Sequence, residues 1–382
     1  MDFRLGADSE QLRDEAREFL ASTLTPEVVE RMYRTGVAHD DDFFRELAAR
    51  RWLAPGWPTE LGGQARDPIE VLAFTEELSR AGAPYTGSGT TMAVAKMVQA
   101  MGTDAQKEAI LPRVMRAEIL MVLGFSEPES GSDVAAAQTR AVRDGDEWVI
   151  NGQKMFTTNA HLADYVFLLT RTNRDVSKHK GLTTFLVPMD RPGVEVQGVF
   201  TISGERTNIV YFTDVRVDDF WRIGEVDGGW KVMTASLQDE HGAAFGGDSD
   251  RLLADAERWA EESGRIADPA VRVRLGKAAA EVEVARLLQR RAAWMTHVGT
   301  VPEAEAPMSK LFSSEALVRQ AEDFAEMLGP DGLRSYFDPT APVGGAIEHG
   351  LRFSLGTTIY AGTSEVQRTI IAQRRLGLSR PQ

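Results

Sequence analysis

The hydrophobic period of this chain changes twice, and those changes limit what it can fold into. Up to about residue 122, apolar side chains recur at helical spacing. From about residue 123 they alternate, and after Gly228-Gly229-Trp230 helical spacing returns and persists. A period near 3.6 buries one stripe of a helix, and a period of 2 buries one face of a strand. Helices and strands grouped in blocks, rather than interleaved, specify an α+β chain. The expected order is an N-terminal α-helical domain (1–122), a middle antiparallel β domain or small barrel (123–222) and a C-terminal helical bundle (223–382). At 382 residues the chain is long enough for more than one core.

In the first block Leu12, Ala16, Phe19 and Leu20 share one face, and Phe43, Phe44, Leu47 and Ala48 repeat the spacing. Pro68 opens a further helix, Met92 to Met101 form a small-residue helix, and Thr103-Asp104 caps the next. In the second block, Trp148–Ile150, Tyr165–Leu169, Leu182–Val187, Val194–Val196 and Ile209–Val217 read as strands. Asp-Gly, Asn-Gly and Arg-Pro-Gly turns separate them, with Asn151-Gly152 as a hairpin signal. Four long helical segments follow, near 230–242, 249–264, 269–298 and 304–328. A Gly/Pro-rich loop over 329–345 precedes a last helical stretch.

Composition excludes several chemistries. The formal net charge is −14, which disfavours nucleic acid. There is no cysteine, so thiolate nucleophiles, disulfides and Cys-ligated metals are absent. No apolar run approaches the roughly 20 residues needed to span a bilayer. The N-terminal residues lack a signal-peptide layout, and a cytoplasmic protein without a metal centre is expected.

Two stretches carry the chemistry. Gly124-Phe125-Ser126-Glu127-Pro128-Glu129-Ser130-Gly131-Ser132-Asp133 is a loop of glycines and small hydroxyl residues. Asn151 to Asn159 is a strand ending in the paired threonines Thr157-Thr158. Such segments let backbone amides and hydroxyls approach a flat or anionic ligand. Singly, each hydroxyl is ordinary turn chemistry.

Ser126-Glu127-Pro128 with Gly131-Ser132-Asp133, then Asn151-Gly152-Gln153-Lys154, then Ile359-Tyr360-Ala361-Gly362-Thr363-Ser364 to Arg368 stand in this order across the three blocks. With them the chain resembles the acyl-CoA dehydrogenase family over essentially its whole length. The resemblance implies a C-terminal four-helix bundle and FAD held between it and the β domain. It also implies α,β-dehydrogenation of an acyl-CoA thioester: a carboxylate takes the α-proton and flavin N5 accepts the β-hydride. An electron-transferring flavoprotein is the implied oxidant. By position, Leu123, Phe125 and Ser126 match the strand-loop that lines the isoalloxazine, and Ser132 the serine after it. Phe156 stands where many members have tryptophan. Thr158 matches the threonine bonded to flavin N5, and Thr363 lies in a stretch that contacts the cofactor.

Two departures sharpen the expectation. Many members place glutamate immediately before Gly362-Thr363, where this chain has Ala361. In a smaller branch the base comes from an earlier helix, and that position is Glu240, with Asp239 turned about 100° away and His241 at the rim. The Arg-x-x-Phe-Gly stretch that reaches a neighbour's flavin is reduced to Arg265 without its Phe-Gly, and the later Gln-x-x-Gly-Gly stretch reads Glu326-Met327-Leu328-Gly329-Pro330. This pattern resembles the base-bearing subunit of heteromeric (α2β2) dehydrogenases of steroid side chains, and a bulky or branched acyl group is expected. The alternatives are a catalytically silent scaffold subunit and a flavin monooxygenase on the same fold.

Overall fold

The computed structural model describes residues 6–240 and 245–379, with the backbone alone over 235–240. Six helices come first: α1 (Ala7–Thr23), α2 (Pro26–Thr35), α3 (Asp41–Ala49), α4 (Pro68–Ala81), α5 (Thr86–Met101) and α6 (Asp104–Met115). Their starts are chemically marked. Thr25, Asp40 and Asp67 accept hydrogen bonds from backbone amides of the first turn, and Thr103 with Gln106 forms a reciprocal capping box. Gly36 and Gly82 end α2 and α4 in the left-handed conformation. The predicted apolar stripes are buried together: Leu12, Phe19, Phe43, Phe44 and Leu47 pack with Trp52, Phe74 and Val98.

Eight strands follow: β1 (Met121–Gly124), β2 (Arg140–Asp144), β3 (Glu147–Lys154), β4 (Tyr165–Arg171), β5 (Leu182–Pro188), β6 (Val194–Phe200), β7 (Arg206–Asp218) and β8 (Arg222–Ile223). They pair in the order β6-β7-β3-β2-β4-β5-β8. The sheet is antiparallel except along one edge of β4, where β1 and the first residue of β2 lie parallel to it. The five expected strands are present, and the short strands β1, β2 and β8 are additional. The β2–β3 hairpin turns at Gly145-Asp146, which places Asn151-Gly152 inside β3. There the register to β7 shifts between Ile150 and Gly152: Asn151 opposes both Thr213 and Asp214, so the bulge lies on β7 and Asn151-Gly152 runs on within β3 instead of making the expected turn. Gly152 has φ of 147°, and a Cβ on it would lie 2.6–2.8 Å from Thr139.

The third block comprises α7 (Gly229–Glu240), α8 (Gly246–Glu262), α9 (Pro269–His297), α10 (Glu305–Leu328), α11 (Ala346–Thr357) and α12 (Ser364–Leu376). Leu252, Ala256, Leu275, Val282, Leu317, Phe324 and Ile347 form the bundle core. The last helical stretch is two helices, α11 and α12, split by the turn 358–363. No helix among the described residues is long and apolar enough to cross a membrane.

Helix α7 ties the blocks together. Val232 is buried in the N-terminal core, whereas Met233, also buried, packs with Ala135, Ala137, Leu169 and Leu182, against which Phe125 and Trp230 lie. One helical turn therefore touches both the first core and the floor of the Ser/Gly loop.

Candidate active site

The Ser/Gly loop follows β1 and is held from beneath by a buried ion pair. Lys154 projects inward by the alternation that buries Trp148 and Ile150, and is wholly inaccessible. Its Nζ donates to Phe125 O at 3.1 Å and to Glu127 Oε1 at 2.7 Å. The Glu127 carboxylate also accepts the Gln138 and Thr139 amides at 2.6 and 2.9 Å. Glu127 and Ser130 exchange backbone hydrogen bonds of 2.8 and 3.1 Å, closing the loop. The Met155 amide donates to Ser126 O at 2.9 Å, joining the loop to the end of β3. Gly124 has no room for a side chain, because a Cβ would lie 2.7 Å from Val166.

Beyond Lys154 the chain turns sharply. Phe156 and Asn159 are both left-handed, with φ of 59° and 63°. Asn tolerates that region and Phe does not, so Phe156 is strained, as residues at functional sites often are. Its ring is 60% exposed. Thr157 and Asn159 are buried, yet Thr157 Oγ1 and both polar atoms of the Asn159 side chain have no protein partner. The same holds for Ser130 Oγ. Thr158 Oγ1 meets Thr207 Oγ1 at 3.3 Å.

On the bundle side, Ala361 and Gly362 are consecutive left-handed residues, φ 54° and 83°. Thr363 caps α12, its Oγ1 accepting the Val366 amide at 3.2 Å. Tyr360 keeps 44% of its surface accessible. Even so, burial among surrounding protein, followed by Glu205, Asp248 and Tyr85, pushes its hydroxyl well above the usual phenol range. A side chain both surrounded and accessible lines a cleft. The edge of Tyr360 meets Phe245 with ring centroids 5.8 Å apart. The two nearby carboxyls have partners of their own: Glu205 accepts the Ser203 hydroxyl at 2.8 Å, and Asp248 accepts the Ser79 hydroxyl at 2.9 Å and pairs with Arg251 at 3.0 Å. Because Thr207 is two residues from Glu205, the start of β7 links Thr158 to the cleft that Tyr360 lines.

The structure thus joins Leu123, Phe125 and Ser126 to the Phe156–Thr158 segment through the Lys154 and Met155 contacts. Ser132 is exposed. Thr363 comes from the bundle. Glu240 is the last residue of α7, and its side chain, like all of His241, lies outside the described residues. Arg265 is exposed and paired with Asp268 at 3.1 Å, and Glu326 lies 3.4 Å from Arg274. Sequence reasoning gave no role to Lys154, Glu127, Thr157 or Asn159. The alternation along β3 does place Lys154 inside, and a lysine on the buried face of a strand is a signal, since lysine is seldom fully buried unless paired.

Known proteins share this arrangement. The N-terminal, middle and C-terminal domain families of acyl-CoA dehydrogenase match residues 6–118, 122–219 and 227–376. The chain belongs to the acyl-CoA dehydrogenase family. Acyl-CoA dehydrogenase FadE26 of Mycobacterium tuberculosis is 36% identical over 395 aligned residues, covering 97% of each chain. Among solved structures, the Tcur3481–Tcur3483 steroid ACAD superposes with a TM-score of 0.93 at 33% identity, covering 100% of both chains. The ChsE4–ChsE5 complex from M. tuberculosis superposes at 0.90 with 35% identity, again over 100% of both. As an acyl-CoA dehydrogenase the chain is an FAD-dependent oxidoreductase that desaturates acyl-CoA thioesters. The residues present fit that cofactor. Buried polar atoms are normally satisfied; Thr157 and Asn159, in the turn that follows the exposed Phe156, and Ser130, in the loop that this segment joins, carry orphaned atoms for which a polar heterocycle would supply partners.

Proposed function

We propose that this chain is the base-bearing subunit of a heteromeric acyl-CoA dehydrogenase, acting on a bulky acyl group such as a steroid side chain or on a branched one. The observation that carries this reading is the turn before Thr363. It is built as a tight left-handed turn and presents the methyl group of Ala361, which cannot accept a proton. The base must then come from elsewhere, and α7, fixed at its first turns against the floor of the Ser/Gly loop, ends in Glu240.

The α C–H of a thioester is a weak acid, and it becomes removable when its carbonyl is polarised and a base is aimed at it. Glu240 takes that proton. Exclusion of water raises the pKa of such a base and brings it nearer to that of the carbon acid. Leu123, Phe125, Ser126, Ser132, Phe156, Thr158 and Thr363 hold FAD, which when bound supplies the acceptor for the β-hydride. An electron-transferring flavoprotein then takes the electrons.

The heteromer is supported by two structural relatives named for two components each, the Tcur3481–Tcur3483 steroid ACAD and the ChsE4–ChsE5 complex. It is also supported by Arg265 and Glu326, which are engaged with neighbours in their own chain and do not reproduce the family's arginine and glutamine stretches. The room left at Ala361 and the accessible Ile359 and Tyr360 suit a bulky acyl group. The test is Glu240→Gln in the flavin-loaded assembly, followed by bleaching of the flavin on addition of an acyl-CoA without oxygen. Loss of at least about 1,000-fold in the bleaching rate is expected for removal of the only base; undiminished turnover overturns the assignment. A colourless assembly whose partner holds all the flavin would point instead to a scaffold subunit.

A further inference from the structure

Lys310 is buried completely, in the second turn of α10, and nothing in the mechanism above uses it. Its Nζ donates to Gly362 O at 2.6 Å. Beside it, Gln367 Nε2 donates to Ala361 O at 2.9 Å. Two side chains from two helices therefore grip the two successive carbonyls of the left-handed turn. This turn replaces the family's usual base position and leads directly into Thr363.

Burying a lysine solely to bond one backbone carbonyl is a poor way to stabilise a bundle, because desolvating an ammonium costs more than one such bond returns. The position is unfavourable in a second respect, since the cation stands at the N-terminal end of α12, the positive end of that helix's dipole. No carboxylate neutralises Lys310 within ion-pairing distance among the described residues. Glu315, on α10 itself, is paired with Arg368 at 2.7 Å, and Glu365 stands in the first turn of α12. Both favour the charged amine from a distance, but burial dominates and brings Lys310 down to about 8. Features that cost stability and act on a turn of the site are expected where geometry must be held for function.

We infer that Lys310 is a positioning residue for the reaction: acting through Gly362 O, it holds the Ala361–Thr363 turn in the left-handed form that keeps the acyl pocket open and sets Thr363 against the cofactor. The inference rests on Thr363 being a cofactor contact, but its first readout does not. Amide hydrogen exchange on the flavin-loaded assembly compares Lys310→Met with the parent in peptides spanning 359–367 and in α9. Exchange in 359–367 is expected to rise roughly 10-fold, the scale of one charge-assisted hydrogen bond, with α9 unchanged. The kcat for one fixed acyl-CoA is expected to fall about 10-fold, and the parent's alkaline loss of kcat around pH 8 is expected to disappear. Gln367→Ala, which removes the uncharged grip, is expected to speed exchange and keep the alkaline limb. Unchanged exchange in 359–367 overturns the inference, as does faster exchange at full kcat or an alkaline limb that survives in Lys310→Met. Should that variant not fold, Lys310→Gln carries the same measurements. A failed Glu240→Gln result with the expected exchange change would locate the error in the base assignment alone.

Discussion

At the scale of single residues, the pair Lys154–Glu127 shows how the Ser/Gly loop is fixed from inside. Burial alone would raise the Glu127 carboxyl. The Lys154 charge and hydrogen bond, with the amides of Gln138 and Thr139, outweigh it and hold the group below its ordinary value of 4.5. At Lys154 the balance is reversed: burial outweighs Glu127 and brings the amine down to about 8. Both groups remain charged at neutral pH. Glu127 therefore contributes stability above pH 4.5 that is lost as pH falls through its depressed folded value. Between about pH 8 and 10.5 the unfolded chain holds more protons at Lys154 than the folded one, so that group's contribution to stability rises with pH. Glu127→Gln leaves a buried ammonium unpaired and should cost about 3 kcal/mol at pH 7. Urea unfolding should show the gap to the parent closing as pH drops below 4.5; a gap independent of pH would refute the pairing. Of the site, the hydroxyls and glycines were legible because small residues in a loop imply close approach. The buried cations Lys154 and Lys310 were not, because a lysine's usual place is at the surface and only tertiary packing reveals the exceptions.

At the scale of elements, hydrophobic period was the strongest signal. The long helices and the strands with bulky alternation, such as β4 and β5, could be read from the sequence. β1 and β2 could not: Met121–Gly124 is too short to display a period, and only Ala141 of Arg140–Asp144 is buried. Asn151-Gly152 was misread as a turn because its local chemistry favours one, and β7 decides otherwise: its pairing continues past the site, with the extra residue taken up at Thr213-Asp214. Because the extra residue is on β7, β3 keeps its alternation, and Lys154 stays on the face of Ile150, beneath the loop. Gly152→Ala would force a side chain into Thr139 at an unfavourable φ. Thermal melts should give a loss of about 1–3 kcal/mol, and FAD should bind more weakly because Thr139, whose amide holds Glu127 beneath the loop, is displaced. Unaltered FAD affinity in a destabilised variant would separate the bulge from the site.

At the scale of the whole molecule, the incomplete reproduction of the family's stretches for a neighbour's flavin makes stoichiometry the decisive quantity. Purified with its partner subunit, the assembly should contain fewer FAD molecules than chains, as measured from flavin absorbance against total protein. One FAD per chain would exclude the heteromeric reading. The anchoring of α7 carries a further consequence, for recombination between relatives. Val232 completes the N-terminal core, Met233 completes the floor of the Ser/Gly loop, and Glu240 ends the same helix. The helix is thus owned by the first two blocks, although its hydrophobic period groups it with the third. A chimaera that imported a foreign bundle together with its own version of this helix would exchange the proposed proton acceptor and loosen the sheet at one stroke. A crossover placed after the helix would leave both inheritances intact.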